Sequence, residues 1–508
     1  MSEKLNLDSG KDWTFDQIED VYRILEKIAI EKYNLSFYPN QIEIITSEQM
    51  LDCYSAVGMP TYYSHWSFGK QFVQESELYK RGKMGLAYEI VINSNPSIAY
   101  LMEENTMMMQ ALVIAHACIG HNSLFKNNVV FKQWTDASAI IDYLVFAKQF
   151  VAECEEKYGP EEVERVLDSA HALRLNGIDR YKRPPTISKA AEEQRRKDRL
   201  RYEQETFDDI WRTLPPSDKP DKPTDADRFP KEPEENILYF IEKNAPNLPQ
   251  WKREIIRIVR KVAQYFYPQM MTQIINEGYA TFWHYTLIND LYDQGHVTDG
   301  FMLEFLQSHT GVIRQDPYQN INPYALGFAM FQDIKRICME PTEEDKRWFS
   351  WAGNGDWLNT IKHAAYEYKD ESFILQYLSP KVIRDFKLFY ILDDDDNPTM
   401  VVEAIQNDDG YKLIREKLAE QQNVNNKLPL IQVTSVDVWG DRSMTLTHTS
   451  TKRHTLDEDS TYETLRHVER LWGYHVRLQS VAYVGNEEIT DTFEFETVSE
   501  EEEVDLDD

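Results

Sequence analysis

The stretch that organises the chain reads ALVIAHACIGHN over residues 111–122, an apolar run that contains two histidines, His116 and His121. A second stretch reads NEGYATFWH over residues 276–284 and adds Glu277 and a third histidine to a helical pattern. Imidazole and carboxylate groups are the side chains that bind metal ions and transfer protons. The two stretches therefore predict a polar site within buried helices.

The spacing of the two histidines limits how they can act together. On a regular α-helix, residues five apart differ in direction by about 140°, so His116 and His121 cannot bind one ion from an undistorted helix. A glycine at position 120 changes this expectation, because Gly120 can end or bulge the helix and turn the ring of His121 back toward the first. Binding of one ion by both histidines therefore requires a distorted helix.

Two further pairs of candidate site residues follow from helical spacing. Glu277 and His284 share one face, but about 10 Å of helical rise separates them, so one is a candidate ligand and the other lines the cavity. Asp168 and His171 are three residues apart, a spacing at which two side chains of one helix meet. For each histidine the alternative stays open that it is a hydrogen-bonded residue of the core.

An aromatic loop reads PTYYSHWSFGK over residues 60–70 and interrupts the helical pattern with a proline. Its aromatic side chains flank His65. They either fill the core or form the wall of a pocket.

Composition describes a globular protein with ample material for a core, since 42% of its 508 residues are hydrophobic. The four cysteines lack paired spacing, which is typical of reduced thiols. A formal charge of −31 disfavours binding to nucleic acid or to anionic lipid. No signal peptide and no apolar run of about 18 residues is evident, so we expect a cytoplasmic protein without a membrane span.

Hydrophobic periodicity predicts a mainly α large domain with a small C-terminal α+β domain. The helical domain takes up 1–180 and 236–380, including one helix that begins at Ser97 and reaches His116. A Pro-rich charged excursion at 181–235 holds eight of the 21 prolines and a charged helix near 190–211. The α+β domain covers 381–498, with a strand pattern at 430–438, a hairpin turn at Gly440 and one helix near 461–474. The acidic run 393–396 is solvated, and the tail 499–508 is expected to be disordered.

Motifs of several large enzyme classes are missing from the sequence. It contains no Gly-rich phosphate loop, no GxGxxG fingerprint, no GxSxG elbow and no EF-hand loop. The sequence therefore gives little support to a nucleotide-dependent enzyme or a serine hydrolase.

Several of these segments carry a resemblance to a known family. They are HWSFG at 65–69, AH and GHN within 115–122, NEG with WH within 276–284, DGF with FLQSH within 299–309, and NPYALGF at 322–328. In these motifs, and over nearly its whole length, the chain resembles the stage V sporulation protein R (SpoVR) family. The resemblance implies a link to assembly of the spore cortex, a peptidoglycan layer, or to stationary-phase stress responses in bacteria that form no spores. It also implies a PrkA-like serine protein kinase and its companion protein as partners, but it supplies no catalytic residue.

The residues themselves supply a first hypothesis about mechanism. His116, His121 and Glu277 hold Zn²⁺ or another divalent metal with a position open for water, and His65 or His284 transfers protons. The substrate would be a peptide or amide bond. In a variant of this hypothesis, Asp168 and His171 contribute to a two-metal site.

A competing hypothesis treats the chain as a non-catalytic regulatory or scaffold protein that acts with the kinase. Its histidines would then be buried core residues, and its acidic surface and proline-rich excursion would contact the partners.

Overall fold

A computed structural model describes residues 5–56, 59, 62–80, 89–182, 194, 197–198, 229–316, 319–388, 391–392, 401–402, 407–426, 428–450, 456–484 and 487–495. Outside the described residues lie most of the predicted excursion with its charged helix, the acidic run 393–396 and the tail 499–508. The chain divides into two compact units. Met1–His171 and Pro249–Pro429 form the first, and Ala172–Leu248 and Leu430–Asp508 form the second.

Helices dominate the described residues, and side-chain caps define where many of them begin. Thr14 accepts a hydrogen bond from the backbone N–H of Gln17, whose side chain in turn accepts one from the N–H of Thr14. In chain order the α-helices are α1 (Phe15–Glu31), α2 (Ser47–Ser55), α3 (Trp66–Lys80), α4 (Met107–Val113), α5 (Asn122–Asn127), α6 (Val129–Trp134), α7 (Ile140–Tyr158), α8 (Pro160–Ala172), α9 (Ile237–Asn244), α10 (Gln250–Met271), α11 (Gln273–Asp293), α12 (Asp299–Val312), α13 (Pro323–Met339), α14 (Glu343–Trp348), α15 (Trp357–Tyr366), α16 (Asp370–Tyr377), α17 (Pro380–Asp385), α18 (Asp408–Gln422) and α19 (Glu458–Trp472). None of these helices is long and apolar enough to cross a membrane.

A three-stranded sheet lies in the first unit and carries one residue of the site. It consists of β1 (Asn40–Ile45), β2 (Glu89–Ile92) and β3 (Ser97–Met102), with β3 in the middle, parallel to β1 and antiparallel to β2. Glu89 is the first residue of β2.

The predicted single helix from Ser97 to His116 is wrong over its first part. Residues 97–102 form β3, where Ser97, Ala99 and Leu101 are buried and alternate with partly exposed residues, a period of two that suits a strand. The helix α4 begins only at Met107, after Thr106 caps its first turn by accepting a hydrogen bond from the N–H of Met109.

A π-helix spans Ile114–His121 between α4 and α5, and all of its residues are buried. Glycines let this π-helix, α11 and α13 approach one another backbone to backbone. A Cβ on Gly120 would lie 2.6 Å from the Cα of Ala280, and a Cβ on Gly278 or Gly327 would overlap the other's backbone. The absence of side chains at these three positions therefore sets how closely the helices of the site can pack.

Replacing Gly327 with alanine should lower the free energy of unfolding by about 3 kcal/mol, because the new methyl group meets backbone atoms of α11 that cannot rotate away. Urea titration followed by circular dichroism measures this loss. Gly311→Ala is the matched control, since a Cβ at that helical position meets no described residue within 4 Å. The control should keep or raise stability, by up to about 1 kcal/mol. Equal effects of both substitutions would contradict the close contact.

The second unit contains a four-stranded sheet in the order β6 (Ile431–Val436), β7 (Met444–Thr449), β8 (Val476–Val484) and β9 (Glu487–Phe493). The strands β6 and β7 are antiparallel, and the predicted hairpin turn lies between them. The helix α19 links β7 to its parallel neighbour β8. The small α+β region predicted for the C-terminal part is thus present.

The described residues are mainly helical, so the predicted fold class is confirmed. The predicted α+β range began at 381, whereas contacts group α17 and α18 with the first unit. That unit also holds a short antiparallel pair, β4 (Ile391–Leu392) and β5 (Val401–Val402).

Candidate metal centre

Three side chains in the first unit present candidate ligand atoms to one point. One atom each of Glu89, His116 and His121 lies within 4.8 Å of the other two. The Oε1 atom of Glu89 is 3.4 Å from Nε2 of His116 and 3.9 Å from Nε2 of His121. Glu89 lies on the strand β2 and both histidines lie on the π-helix, so the site depends on tertiary packing.

Glu277 on α11 completes the cluster from the other side. Its Oε2 atom is 3.7 Å from Nε2 of His116 and 3.6 Å from Nε2 of His121. The structure thus brings together His116, His121 and Glu277, the three residues of the first ligand hypothesis. The fourth member, Glu89, was missed, although a lone carboxylate in a strand of apolar residues is a signal that could have found it.

The π-helix explains how two histidines five residues apart face one point. A π-helix bonds each residue to the fifth along the chain, which places positions i and i+5 nearly above each other. The ring centroids of His116 and His121 are 4.5 Å apart with the planes at 89°. The helix distortion that binding of one ion by both histidines requires is therefore present.

Both imidazoles are held through the nitrogen that faces away from the cluster. Nδ1 of His121 lies 2.9 Å from Oδ1 of Asn276, which can only accept a hydrogen bond, so the proton of this ring sits on Nδ1. Nδ1 of His116 lies 2.9 Å from Nδ1 of His284, whose Nε2 lies 2.9 Å from Nδ1 of His309. When Nδ1 of His116 donates to Nδ1 of His284, and Nε2 of His284 donates to Nδ1 of His309, Nε2 of His116 keeps a free lone pair. Such outer partners orient the rings of metal-binding histidines.

The two outer histidines are kept in their neutral form. Burial, reinforced by the neighbouring His116, drives the pKa of His284 well below its usual value and lowers that of His309 to about 4. His284, predicted as a proton shuttle, thus contacts the far side of a candidate ligand. His309 had no role in the sequence-based prediction.

Burial and the charges of neighbouring groups shift the pKa values of the four central side chains in different directions. Burial raises the pKa of Glu89 to about 7 and lowers that of His121 to about 4. For Glu277, burial opposes ionisation, but His121 and His116 outweigh it and leave the pKa below its ordinary value. For His116, burial opposes protonation, but Glu89 and Glu277 outweigh it and raise the pKa.

The chemistry of the donors fits a divalent metal. Two imidazole nitrogens with carboxylate oxygens are a known ligand set for zinc and for other first-row metals. Oε2 of Glu89 and Oε2 of Glu277 are buried and have no hydrogen-bond partner among the described residues, an arrangement that costs free energy unless a cation or a proton satisfies them. The carboxylate side chains keep 18% and 19% of their surface exposed, against 5% and 6% for the imidazoles. The cluster is therefore more open on its carboxylate side.

The remaining predicted site residues form a second polar cluster in the same unit. Nε2 of His65 lies 3.0 Å from Oδ1 of Asp168, and the rings of His65 and His171 stack with centroids 4.7 Å apart. Nε2 of His171 lies 2.7 Å from the hydroxyl of Tyr63. Asp168 and His171 each contact His65, and a metal on this pair remains a prediction.

The fold and the site define a large, mainly helical protein with a buried cluster of two histidines and two carboxylates suited to a divalent metal. Comparison with known families identifies it further. The model described as "SpoVR like protein" matches residues 12–427, and the "SpoVR-like C-terminal domain" matches residues 429–483. The chain belongs to the SpoVR family, as its motifs predict.

A relative from Escherichia coli (strain K12), named "Uncharacterized protein YcgB", is 58% identical over 478 residues, which cover 93% of each chain. No solved structure matches the chain.

Proposed function

We propose that the chain is a metal-dependent hydrolase that cleaves a peptide or amide bond. In this proposal Glu89, His116 and His121 hold a divalent ion, and Glu277 accepts the proton of the attacking water. The observation that carries the proposal is the meeting of two imidazole Nε2 atoms and two carboxylates within 3.4 to 3.9 Å in a largely buried cluster. Glu89 thus takes the ligand role that the sequence suggested for Glu277.

Each residue has a separate task. A bound divalent metal would polarise the substrate carbonyl and lower the pKa of water toward neutrality. Glu277, whose Oε2 has no hydrogen-bond partner in the described part of the chain, takes a proton from water and returns it to the leaving amine. Asn276 and His284 hold the two imidazoles in the tautomer that points Nε2 at the cluster.

Metal content, measured by plasma mass spectrometry on protein without a histidine tag, tests the centre. Wild type should carry close to one equivalent of metal, and His121→Ala should carry almost none. His363→Ala is the control, because His363 is exposed and lies on α15. A wild-type protein that stays empty after incubation with Zn²⁺, Mn²⁺ or Fe²⁺ would refute the centre and favour the non-catalytic alternative.

Activity is a separate test of the same proposal. Metal-loaded protein should hydrolyse members of a library of short peptides and N-acyl amides, read by mass spectrometry of the products. The His121→Ala variant should lose this hydrolysis, and the His363→Ala variant should keep it. A loaded protein that cleaves nothing in the library would leave a metal centre without the proposed reaction.

Replacing Asn276 with alanine should weaken metal binding about 10- to 100-fold, because the ring of His121 loses the acceptor that orients it. Competition with a fluorescent zinc chelator measures the dissociation constant. Asn289→Ala is the matched control on the same helix, since its side chain bonds to the carbonyl of Tyr285 within α11. If both variants bind metal alike, Asn276 has no orienting role.

A further inference from the structure

The second polar cluster contains a hydroxyl group that the proposed hydrolase does not use. Oγ of Ser67 lies 2.6 Å from Nδ1 of His65, and Nε2 of the same ring lies 3.0 Å from Oδ1 of Asp168. Ser67 is the second residue of α3, His65 immediately precedes that helix, and Asp168 lies on α8. A hydroxyl, an imidazole and a carboxylate thus follow one another in hydrogen-bonded order.

The hydrogen bonds of this cluster are consistent with a single tautomer of His65. An ionised Asp168 can only accept, so Nε2 of His65 carries the proton and Nδ1 accepts one from the Ser67 hydroxyl at 2.6 Å, with the backbone N–H of Ser67 donating more weakly to the same nitrogen at 3.4 Å. The indole Nε1 of Trp66 donates to the same Asp168 oxygen at 2.6 Å and holds it in place. The stacked ring of His171 covers His65, whose side chain is only 3% exposed.

This order is the one in which a base activates a serine. A nucleophile within hydrogen-bond reach of an imidazole, with the imidazole oriented by a carboxylate, recurs on unrelated folds and is recognised by geometry rather than by sequence motif. Here Nδ1 faces the serine and Nε2 faces the carboxylate, the reverse of the usual assignment of the two nitrogens. The missing GxSxG elbow excludes one setting for a nucleophilic serine, but not this one.

The surroundings leave room for a substrate beside the hydroxyl. Ser67 is partly exposed, and a Cβ on Gly69, two residues further along α3, would meet none of the described residues within 4 Å. Trp66 is 52% exposed, and the rings of Tyr62 and Phe68 lie 5.1 Å apart on the same segment. The position of Ser67 in the first turn of α3 also favours negative charge that develops on an attacked acyl group.

We propose that Ser67 is the nucleophile of an acyl-transfer site that takes esters with an apolar or aromatic acyl group. The Ser67 oxygen forms a bond to the acyl carbon while His65 takes the hydroxyl proton. The bond to the leaving oxygen breaks, and that oxygen receives the proton from His65. Water then attacks the acyl-serine with His65 as base, which releases the carboxylic acid and restores Ser67. The proposal does not rest on the metal centre.

A fluorophosphonate probe tests the nucleophile on the full-length protein. The serine oxygen displaces fluoride from phosphorus, and the added mass is assigned to a residue by tandem mass spectrometry of peptides. Labelling of Ser67 is the expected result, both before and after treatment with a chelator. Labelling elsewhere, or none, overturns the proposal, and neither result depends on whether the variants fold or the metal centre exists.

Variants define the roles of the other two residues. His65→Gln and Asp168→Asn should each slow labelling of Ser67 about 10²- to 10⁴-fold, and Ser67→Ala should abolish hydrolysis of p-nitrophenyl butyrate. Ser64→Ala is the matched control, because Ser64 is an exposed serine three residues earlier, just before α3, and this variant should react as wild type. Labelling of Ser67 that is unchanged in His65→Gln would overturn the assignment of His65 as base.

Discussion

Replacing Glu277 with glutamine should lower the rate of amide hydrolysis by the metal-loaded protein about 10²- to 10⁴-fold. Glutamine keeps the size and most of the shape of glutamate, but its amide cannot take a proton from water. The imidazole pair and Glu89 remain, so the variant should still bind close to one equivalent of metal. The loss should appear in kcat rather than in KM, because the proton moves only as the bond is broken.

The two measurements together assign the roles of the carboxylates. Steady-state hydrolysis gives kcat, and plasma mass spectrometry gives metal content for Glu277→Gln, Glu89→Gln and the control Glu103→Gln, which changes an exposed glutamate. Glu89→Gln should lose metal and activity together. A Glu277→Gln variant that binds no metal would make Glu277 a ligand, and one with full activity would show that Glu277 is not the base.

Replacing Asp370 with alanine should lower the free energy of unfolding by about 3–5 kcal/mol. The side chain of Asp370 is buried, and its two oxygens accept hydrogen bonds of 2.9 Å from the backbone N–H groups of Ile274 and Ile275. These are orphan donors in the first turn of α11, and a carboxylate there also meets the positive end of the helix. Alanine leaves both buried N–H groups unpaired, in the helix that carries Asn276 and Glu277.

Urea unfolding measures this loss, and Asp356→Ala is the comparison. Asp356 caps α15 by accepting a hydrogen bond from the N–H of Asn359, but it is exposed to water, which can replace the bond. Its removal should cost about 1 kcal/mol. If Asp370→Ala is no more costly than Asp356→Ala, the buried cap does not hold α11 in place.

Local patterns predicted much of the fold because the deciding forces are local. A turn at Gly440 next to a strand pattern predicted the hairpin of β6 and β7. The strand β3 was missed because its apolar content also suits a helix. Its pairing with β1, more than 50 residues earlier in the sequence, decided its conformation.

Contacts between residues distant in the sequence also limited the prediction of the candidate site. The distance of five residues between His116 and His121 indicated that the two rings can share an ion only on a distorted helix, which Gly120 permits. Glu89 lies on a different element, and the residues next to it in the sequence do not indicate which side chains it contacts in the folded protein. The close contact between Gly278 and Gly327 could not be predicted either. Each position requires glycine only because the backbone of the other lies against it.

The wholly buried π-helix has a consequence for how the protein is made. Residues 114–121 leave the ribosome long before α11, the helix against which Gly120 packs. Until residues 273–293 are synthesised, this apolar segment lacks its cover, and exposed apolar surface on a nascent chain favours aggregation. The cluster therefore cannot assemble before Glu277 has been synthesised, and until then the π-helix lacks the cover of α11.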